Sequence, residues 1–245
     1  MSSKSCQKLN IDRDPEWSWN RVLEWTGEWL VVKIDRLCIP YPPPPIMSLR
    51  DQFNKLTGKT QFVVSRIFIH LGGEEVSPLL GILNQAARQA IEADGDLTIV
   101  GEGLVEICQN LLQYDTYWQS AANEGDVFWD EGGAGDYANE LFTDSASRYL
   151  SEPDLSETSN PNAQLTLPPT RNLIVMLTVA LEGEEPTIEA DLSNMSALKI
   201  ALKSIINLHY QERLRAIYIH FSPARFGDEL TDDQVLQNFP ELIPL

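Results

Sequence analysis

The spacing of hydrophobic residues divides most of the chain into strands and helices. Runs rich in β-branched and aromatic residues predict four main strands, near residues 61–70, 114–129, 172–181 and 214–221. Apolar residues that recur with a period of 3.6 predict helices between them, most clearly over 79–91 and 100–112. This order of elements predicts an α+β fold, in which a mainly antiparallel four-stranded sheet carries its helices packed mainly on one face.

Helix-capping residues flank these segments. Ser77 followed by Pro78 predicts a helix start with the serine as the N-cap. Near the C-terminus, Thr231 and Gln234 are spaced for a capping box, in which the threonine side chain accepts a hydrogen bond from the Gln234 amide. This second signal predicts a short C-terminal helix.

The first 46 residues differ in composition from the rest. They hold four of the six tryptophans and end in the run Pro40-Tyr41-Pro42-Pro43-Pro44-Pro45, which favours a stiff polyproline II segment. We expect residues 1–46 to be a non-core extension, for which a mis-assigned start upstream of Met47 is one explanation and a tryptophan-rich docking segment another. Residues 47–245 are expected to form a single α+β domain, with a flexible loop at about 151–170, where prolines and polar residues cluster.

Composition excludes several classes of protein. The chain has 245 residues, is 43% hydrophobic and carries a formal net charge of -18. It is too apolar for a disordered chain, and it contains no apolar run of the roughly 20 residues that a transmembrane helix needs. The excess of acid argues against a nucleic-acid binder and against an anionic membrane surface as main partner. Three cysteines without a CxxC spacing indicate a reducing compartment rather than a disulfide scaffold.

The acidic residues are concentrated in the middle of the sequence. Between Arg88 and Arg148 there are thirteen acidic residues and no Lys, Arg or His. Aromatic residues are interleaved with them, and aromatic anchors inside a charged rim are typical of protein-recognition surfaces. We therefore predict an acidic central surface that binds a basic protein, with solubility as the alternative role of the charge. The predicted partner-binding residues are Asp115, Trp118, Glu124, Asp126, Trp129, Asp130, Glu131 and Asp136.

The sequence contains no recognisable catalytic motif. There is no GxSxG, and none of the three histidines, His70, His209 and His220, has a second histidine or a cysteine at a metal-binding spacing. We therefore predict no catalytic, cofactor-binding or metal-binding residues. The many carboxylates leave one alternative open, which is a metal-assisted hydrolase that uses clustered acids.

The C-terminal part resembles a known family. After the strands Asn172–Leu181 and Leu214–Phe221 come Leu230-Thr231, Val235-Leu236, Phe239-Pro240 and Leu242-Ile243-Pro244-Leu245. This order is similar to the signature that ends members of the cyanobacterial and plastid domain of unknown function 1517 family. The resemblance covers about residues 60–245. It implies an α+β fold and a photosynthetic organism, and it carries over no catalytic residues because none is established for the family.

These observations together predict a non-enzymatic accessory protein that acts through protein–protein interaction. The acidic surface would bind a basic partner and not nucleic acid. We expect the protein in the cytoplasm or peripheral to the thylakoid membrane, on its stromal side.

Overall fold

The computed structural model describes residues 60–148, 171–225 and 227–245. The predicted extension at 1–46, the predicted domain start at 47–59 and the predicted loop at 151–170 lie outside the described residues. In the part of the chain that is described, no helix is both long and apolar enough to cross a membrane.

An antiparallel sheet forms the middle layer of the fold. Its strands are β1 (Phe62–Gly72), β2 (Trp118–Phe128), β3 (Asn172–Glu182), β4 (Leu214–Ser222) and β5 (Ile243–Pro244). They lie in the order β4-β3-β1-β2-β5, and every pairing is antiparallel, which confirms the predicted type of sheet. β1 and β3 pair with a strand on each side and are covered on both faces, which explains their almost continuous hydrophobic runs.

The predicted number of four strands is wrong, because β5 adds a fifth. Ile243 and Pro244 pair with Ala121 and Ser120 of β2. The amide of Leu245 also donates a hydrogen bond to the carbonyl oxygen of Gln119 at 3.0 Å. Two residues are too few to show an alternating pattern, and the missing N–H of a proline argues against a strand anywhere except at an edge.

Six α-helices surround the sheet within the described residues. They are α1 (Ser77–Glu92), α2 (Leu97–Gln113), α3 (Glu131–Ser147), α4 (Pro186–Glu189), α5 (Met195–Tyr210) and α6 (Asp232–Asn238). Val76 rather than the predicted Ser77 is the N-cap of α1, so Ser77 is already helical. The capping box of Thr231 and Gln234 at the start of α6 is confirmed.

The helices α1, α2 and α5 share one face of the sheet. Their buried leucines, isoleucines and alanines form one large apolar cluster with alternate residues of the strands, including Ile67 and Ile69 of β1 and Val175 and Leu177 of β3. Asp96 caps α2 by accepting hydrogen bonds from the amides of the second and third helical residues.

α3 and α6 cover the opposite face. α3 places Ala134, Ala138 and Leu141 against Val64 of β1 and Tyr218 of β4. α6 and the residues around it complete a second cluster over the other end of the strands, made of Phe68, Ala122, Ile174, Met176, Leu230, Val235 and Phe239. The sheet therefore separates α1, α2 and α5 from α3 and α6.

The pairing of β1 with β2 shows which residues of the α3 face lie at opposite ends of these strands. Phe62 lies opposite Phe128 at one end of the ladder, and His70 lies opposite Ser120 at the other. Eight residues of extended strand correspond to roughly 27 Å. Residues near Phe128 and residues near Ser120 therefore lie at opposite ends of the β1–β2 ladder.

Candidate functional site

The junction between β2 and α3 carries several exposed acidic residues and an exposed tryptophan. We call it the acidic corner and define it as Asp126, Trp129, Asp130, Glu131, Asp136 and Glu140. The side chain of Trp129 is 48% exposed, although a tryptophan is usually largely buried. The carboxylate of Asp130, the N-cap of α3, accepts a hydrogen bond from the amide of Gly133 at 2.7 Å. This bond fixes the start of α3 immediately after the exposed tryptophan.

Aromatic side chains attach the acidic corner to the sheet. The rings of Phe128 and Tyr137 lie 5.4 Å apart and pack against the apolar cluster beneath α3. Burial raises the pKa of Tyr137, and the charges of Glu124, Asp126 and Glu140 raise it further. The charges of carboxylates on β2 and on α3 therefore both act on this phenol.

Beside this corner lies a buried arginine. Arg66 on β1 is 2% exposed, and its Nε donates a hydrogen bond to Glu124 Oε1 at 2.8 Å. Its Nη1 donates to the carbonyl oxygen of Leu141 at 2.9 Å and to Ser145 Oγ at 2.7 Å, and it lies 2.7 Å from Asp144 Oδ2. Arg66 thus joins β1 to β2 and to α3. A buried charge needs such partners, because an unpaired one is strongly destabilising.

A second arginine extends this network to the C-terminal residues. Arg148 Nη2 lies 2.8 Å from Asp144 Oδ2, and its Nη1 contacts Glu241 and the carbonyl oxygen of Asn238. Burial would raise the pKa of Asp144, but the hydrogen bonds and charges of the two arginines outweigh it and lower the pKa. Asp144 therefore stays ionised between two cations. The guanidinium groups of both arginines also lie over the ring of Phe68.

The predicted partner-binding residues divide into two groups. Trp118 is buried in the large apolar cluster, and Asp115 lies 2.6 Å from the ammonium of Lys199 on α5. Glu124 is exposed but bound to Arg66. The remaining five residues, Asp126, Trp129, Asp130, Glu131 and Asp136, belong to the end of β2, the junction after it and the first turns of α3. Glu140 and Tyr137 complete this region and were not among the predicted site residues.

The acidic stretch of the sequence does not form one continuous face. Glu92 and Glu102 belong to α1 and α2, which cover the face of the sheet opposite to α3. The turn between these two helices adds Asp94 and Asp96 to that side. Acids that are neighbours in sequence are therefore divided between two sides of the protein.

His70, Ser120 and Asn172 form a hydrogen-bonded chain that no sequence motif indicates. His70 Nδ1 lies 3.1 Å from Ser120 Oγ, and His70 Nε2 lies 3.0 Å from Asn172 Oδ1. The three residues come from the neighbouring strands β1, β2 and β3. We call them the Ser–His–Asn chain. It lies at the end of the β1–β2 ladder that is opposite to the acidic corner.

The other two histidines do not form a site together. His209 belongs to α5, whereas His220 is buried under α3 with its ring 5.0 Å from that of Phe142. Burial, and after it the positive charge of Arg66, lowers the pKa of His220 to about 3. His220 is therefore neutral in the folded protein at ordinary pH.

The described residues offer no support for the predicted alternative of a metal-assisted hydrolase. Among them, no group of three or more His, Cys, Asp or Glu side chains is arranged to hold a metal ion. Of the carboxylates on the α3 face, Glu124 and Asp144 contact arginines instead.

Comparisons with known proteins identify a family but no activity. The model of a family described as "Protein of unknown function (DUF1517)" matches residues 61–245. No curated protein and no solved structure matches the chain.

Proposed function

The chain belongs to the DUF1517 family, and we propose that it acts as a non-enzymatic protein-interaction module that binds a basic partner through the acidic corner. The observation that carries this proposal is the exposed Trp129, which adjoins Asp130 and Glu131 in the sequence between β2 and α3. An exposed aromatic side chain within a charged rim has the composition of a binding hot spot.

The charge of the corner supports a basic partner. Among the described residues, Asp126, Asp136 and Glu140 form no ion pair, and all three are exposed. Three uncompensated carboxylates on the adjoining elements β2 and α3 favour a surface rich in Lys or Arg, and they speed its approach at low ionic strength. In keeping with the resemblance of the sequence, the partner would be a protein of a photosynthetic organism, in the cytoplasm or at the thylakoid surface.

Affinity capture with matched variants tests this proposal. The full chain is immobilised and exposed to an extract of the native host at about 50 mM and about 500 mM salt, because screening weakens exposed charge pairs. One variant combines Asp126→Asn, Asp136→Asn and Glu140→Gln. Its control neutralises three acids on the opposite side of the sheet, with Glu92→Gln, Glu102→Gln and Glu106→Gln. Both variants lose the same charge, so a difference between them reports on position.

We expect a captured protein that is released at high salt, lost with the corner variant and retained with the control variant. Trp129→Ala should weaken binding by about tenfold or more, as is usual for a hot spot. Tyr210→Ala, which removes an aromatic side chain that is 69% exposed on α5, should leave binding unchanged. Equal losses with both triple variants, or no salt-sensitive partner, would refute the proposal.

A further inference from the structure

The contacts of Asn172 determine which atom donates and which accepts in each hydrogen bond of the Ser–His–Asn chain. Asn172 Nδ2 lies 2.9 Å from the carbonyl oxygen of Leu230 and 2.8 Å from Asp232 Oδ1. Both of these oxygens are acceptors, so the atom that faces them is the amide nitrogen, and each acceptor takes one of its two hydrogens. The amide oxygen of Asn172 is therefore the atom that faces His70.

This orientation fixes the tautomer of the histidine. An amide oxygen accepts hydrogen bonds and cannot donate them, so His70 Nε2 carries a hydrogen and donates it to Asn172 Oδ1. In the neutral ring, His70 Nδ1 is then an unprotonated nitrogen with a free lone pair. Ser120 Oγ, 3.1 Å away, donates its hydroxyl hydrogen to that nitrogen.

The surroundings favour the neutral form of the imidazole. Burial lowers the pKa of His70, although the hydrogen bond with Asn172 and the charge of Asp232 oppose this effect. Asp232 lies behind Asn172, at the first position of α6. Its negative charge would stabilise the imidazolium that forms when His70 accepts the serine proton. A hydroxyl, a neutral base and an orienting amide are the parts of an activated nucleophile.

We propose that Ser120 is a nucleophile activated by His70 and that this site cleaves esters of short, uncharged carboxylic acids. The acyl class follows from the neighbours on the same face of the sheet. Ala122 follows Ser120 along β2, and Ile174 lies opposite His70 on β3. Both belong to the apolar cluster that α6 covers, and Ser120 itself is only 8% exposed. A small apolar acyl group suits such surroundings, whereas a charged or bulky one does not.

In the first half of the reaction, Ser120 Oγ bonds to the carbonyl carbon of the ester and its proton passes to His70 Nδ1. The bond from that carbon to the leaving oxygen then breaks, and His70 returns the proton to the departing alcohol. In the second half, water attacks the acyl-serine with His70 again as the base. The bond between the acyl carbon and Ser120 Oγ then breaks, His70 returns the proton to that oxygen, and the carboxylic acid leaves. Asn172 acts as a positioning residue, since it orients the ring without touching the substrate.

Covalent labelling tests the site without knowledge of the natural ester. The purified full chain is treated with a fluorophosphonate probe, and peptide mass spectrometry locates the modified serine. We expect labelling at Ser120 that is absent in Ser120→Ala and slower by on the order of 10²-fold in His70→Gln, which is the usual contribution of a general base. Ser147→Ala is the control, because this exposed serine bonds a backbone carbonyl rather than a histidine. It should not change labelling.

The pH dependence keeps the proposal testable even if His70→Gln does not fold. With a neutral His70 as the base, the labelling rate of the native protein should be constant from about pH 8 to about pH 6.5 and fall below that, in the range where His70 becomes protonated. A serine that reacts without a base would react faster with each rise in pH. Absence of probe at Ser120 in the native protein, or a rate that rises continuously above pH 7, would overturn the proposal. Hydrolysis of p-nitrophenyl acetate that is lost in Ser120→Ala would confirm the acyl class.

Discussion

A single added methyl group on β2 should destabilise the protein although its position is exposed. Gly125 lies opposite Ser65 in the β1–β2 ladder, between the Arg66-bound Glu124 and the corner residue Asp126. A Cβ atom at Gly125 would lie 2.4 Å from the carbonyl oxygen of Val64 and 3.1 Å from the Cα of Ser65. Both are backbone atoms, so neither can move aside by a change of rotamer. Relief requires that the two strands separate.

The expected size follows from two opposing effects. Alanine in place of glycine should stabilise a strand by roughly 0.5–1 kcal/mol, because the unfolded chain loses conformational freedom. Overpacking against a rigid neighbour typically costs about 1–3 kcal/mol, and a backbone contact at this distance belongs at the upper end. We therefore expect Gly125→Ala to lower the free energy of unfolding by about 2 kcal/mol.

Gly103→Ala provides the matched control. Gly103 is buried in α2, yet a Cβ atom there would meet the Cβ of Ala86 at 3.5 Å, which is ordinary van der Waals contact. This substitution should stabilise the protein by roughly 0.5–1 kcal/mol through helix propensity. Burial alone would predict the opposite order of the two variants. Urea denaturation followed by tryptophan fluorescence measures both, and a Gly125→Ala protein as stable as wild type would refute the close approach of β1 and β2.

Two further predictions concern the buried polar groups of the α3 face. Arg66→Ala should lower the free energy of unfolding by about 3–4 kcal/mol, because it leaves the fully buried Ser145 hydroxyl without its partner and removes the link between β1 and α3. The control Arg215→Ala removes an ion pair whose arginine is 40% exposed and should change the free energy of unfolding by under about 1 kcal/mol. Equal effects of the two substitutions in denaturation would contradict the role of Arg66. The pKa of His220 is about 3 in the folded state and 6.5 in the unfolded state. Below pH 6.5 the unfolded state therefore binds a proton that the folded state does not bind. The contribution of His220 to stability is complete above pH 6.5 and is lost as the pH falls toward 3. Between pH 7.5 and pH 4.5 this loss should be about 2–3 kcal/mol. The His220→Gln protein should show a smaller loss, with the remainder from His70, whose pKa is also lowered; the same loss in both proteins would show that His220 is not buried as a neutral ring.

Most of the main strands and helices could be predicted because they have a strong local pattern. The β3 residues form a near-continuous apolar run, and Leu79, Leu83, Ala86 and Ala90 recur with the period of a helix. β5 could not be predicted in the same way, because it consists of only two residues. They are recognised as a strand only because they pair with β2. Local pattern reports which residues are buried, but it does not report which segments pair.

The acidic surface was predicted as one unit because its residues are adjacent in sequence. The fold places α2 on one face of the sheet and α3 on the other, so that Glu102 and Glu140 end on opposite sides. The Ser–His–Asn chain is the opposite case, because its residues are distant in sequence and lie together in the fold. Its two hydrogen bonds join residues that are 50 and 102 positions apart in the sequence. Only the register of three strands brings them together, and no local motif records that register.

Some of the acidic residues stabilise the fold and others do not, and this difference decides which of them should be mutated in a search for a partner. Glu124 and Asp144 both contact Arg66, and their removal would leave a buried guanidinium with fewer compensating charges. Asp130 caps α3, so its loss would weaken the start of that helix by about 1 kcal/mol. A mutational search that neutralised every acid of the central stretch would therefore mix loss of stability with loss of binding. Asp126, Asp136 and Glu140 do not have this problem, because no ion pair within the described residues involves them. Binding that disappears with these three residues while the thermal stability is kept would belong to the surface itself.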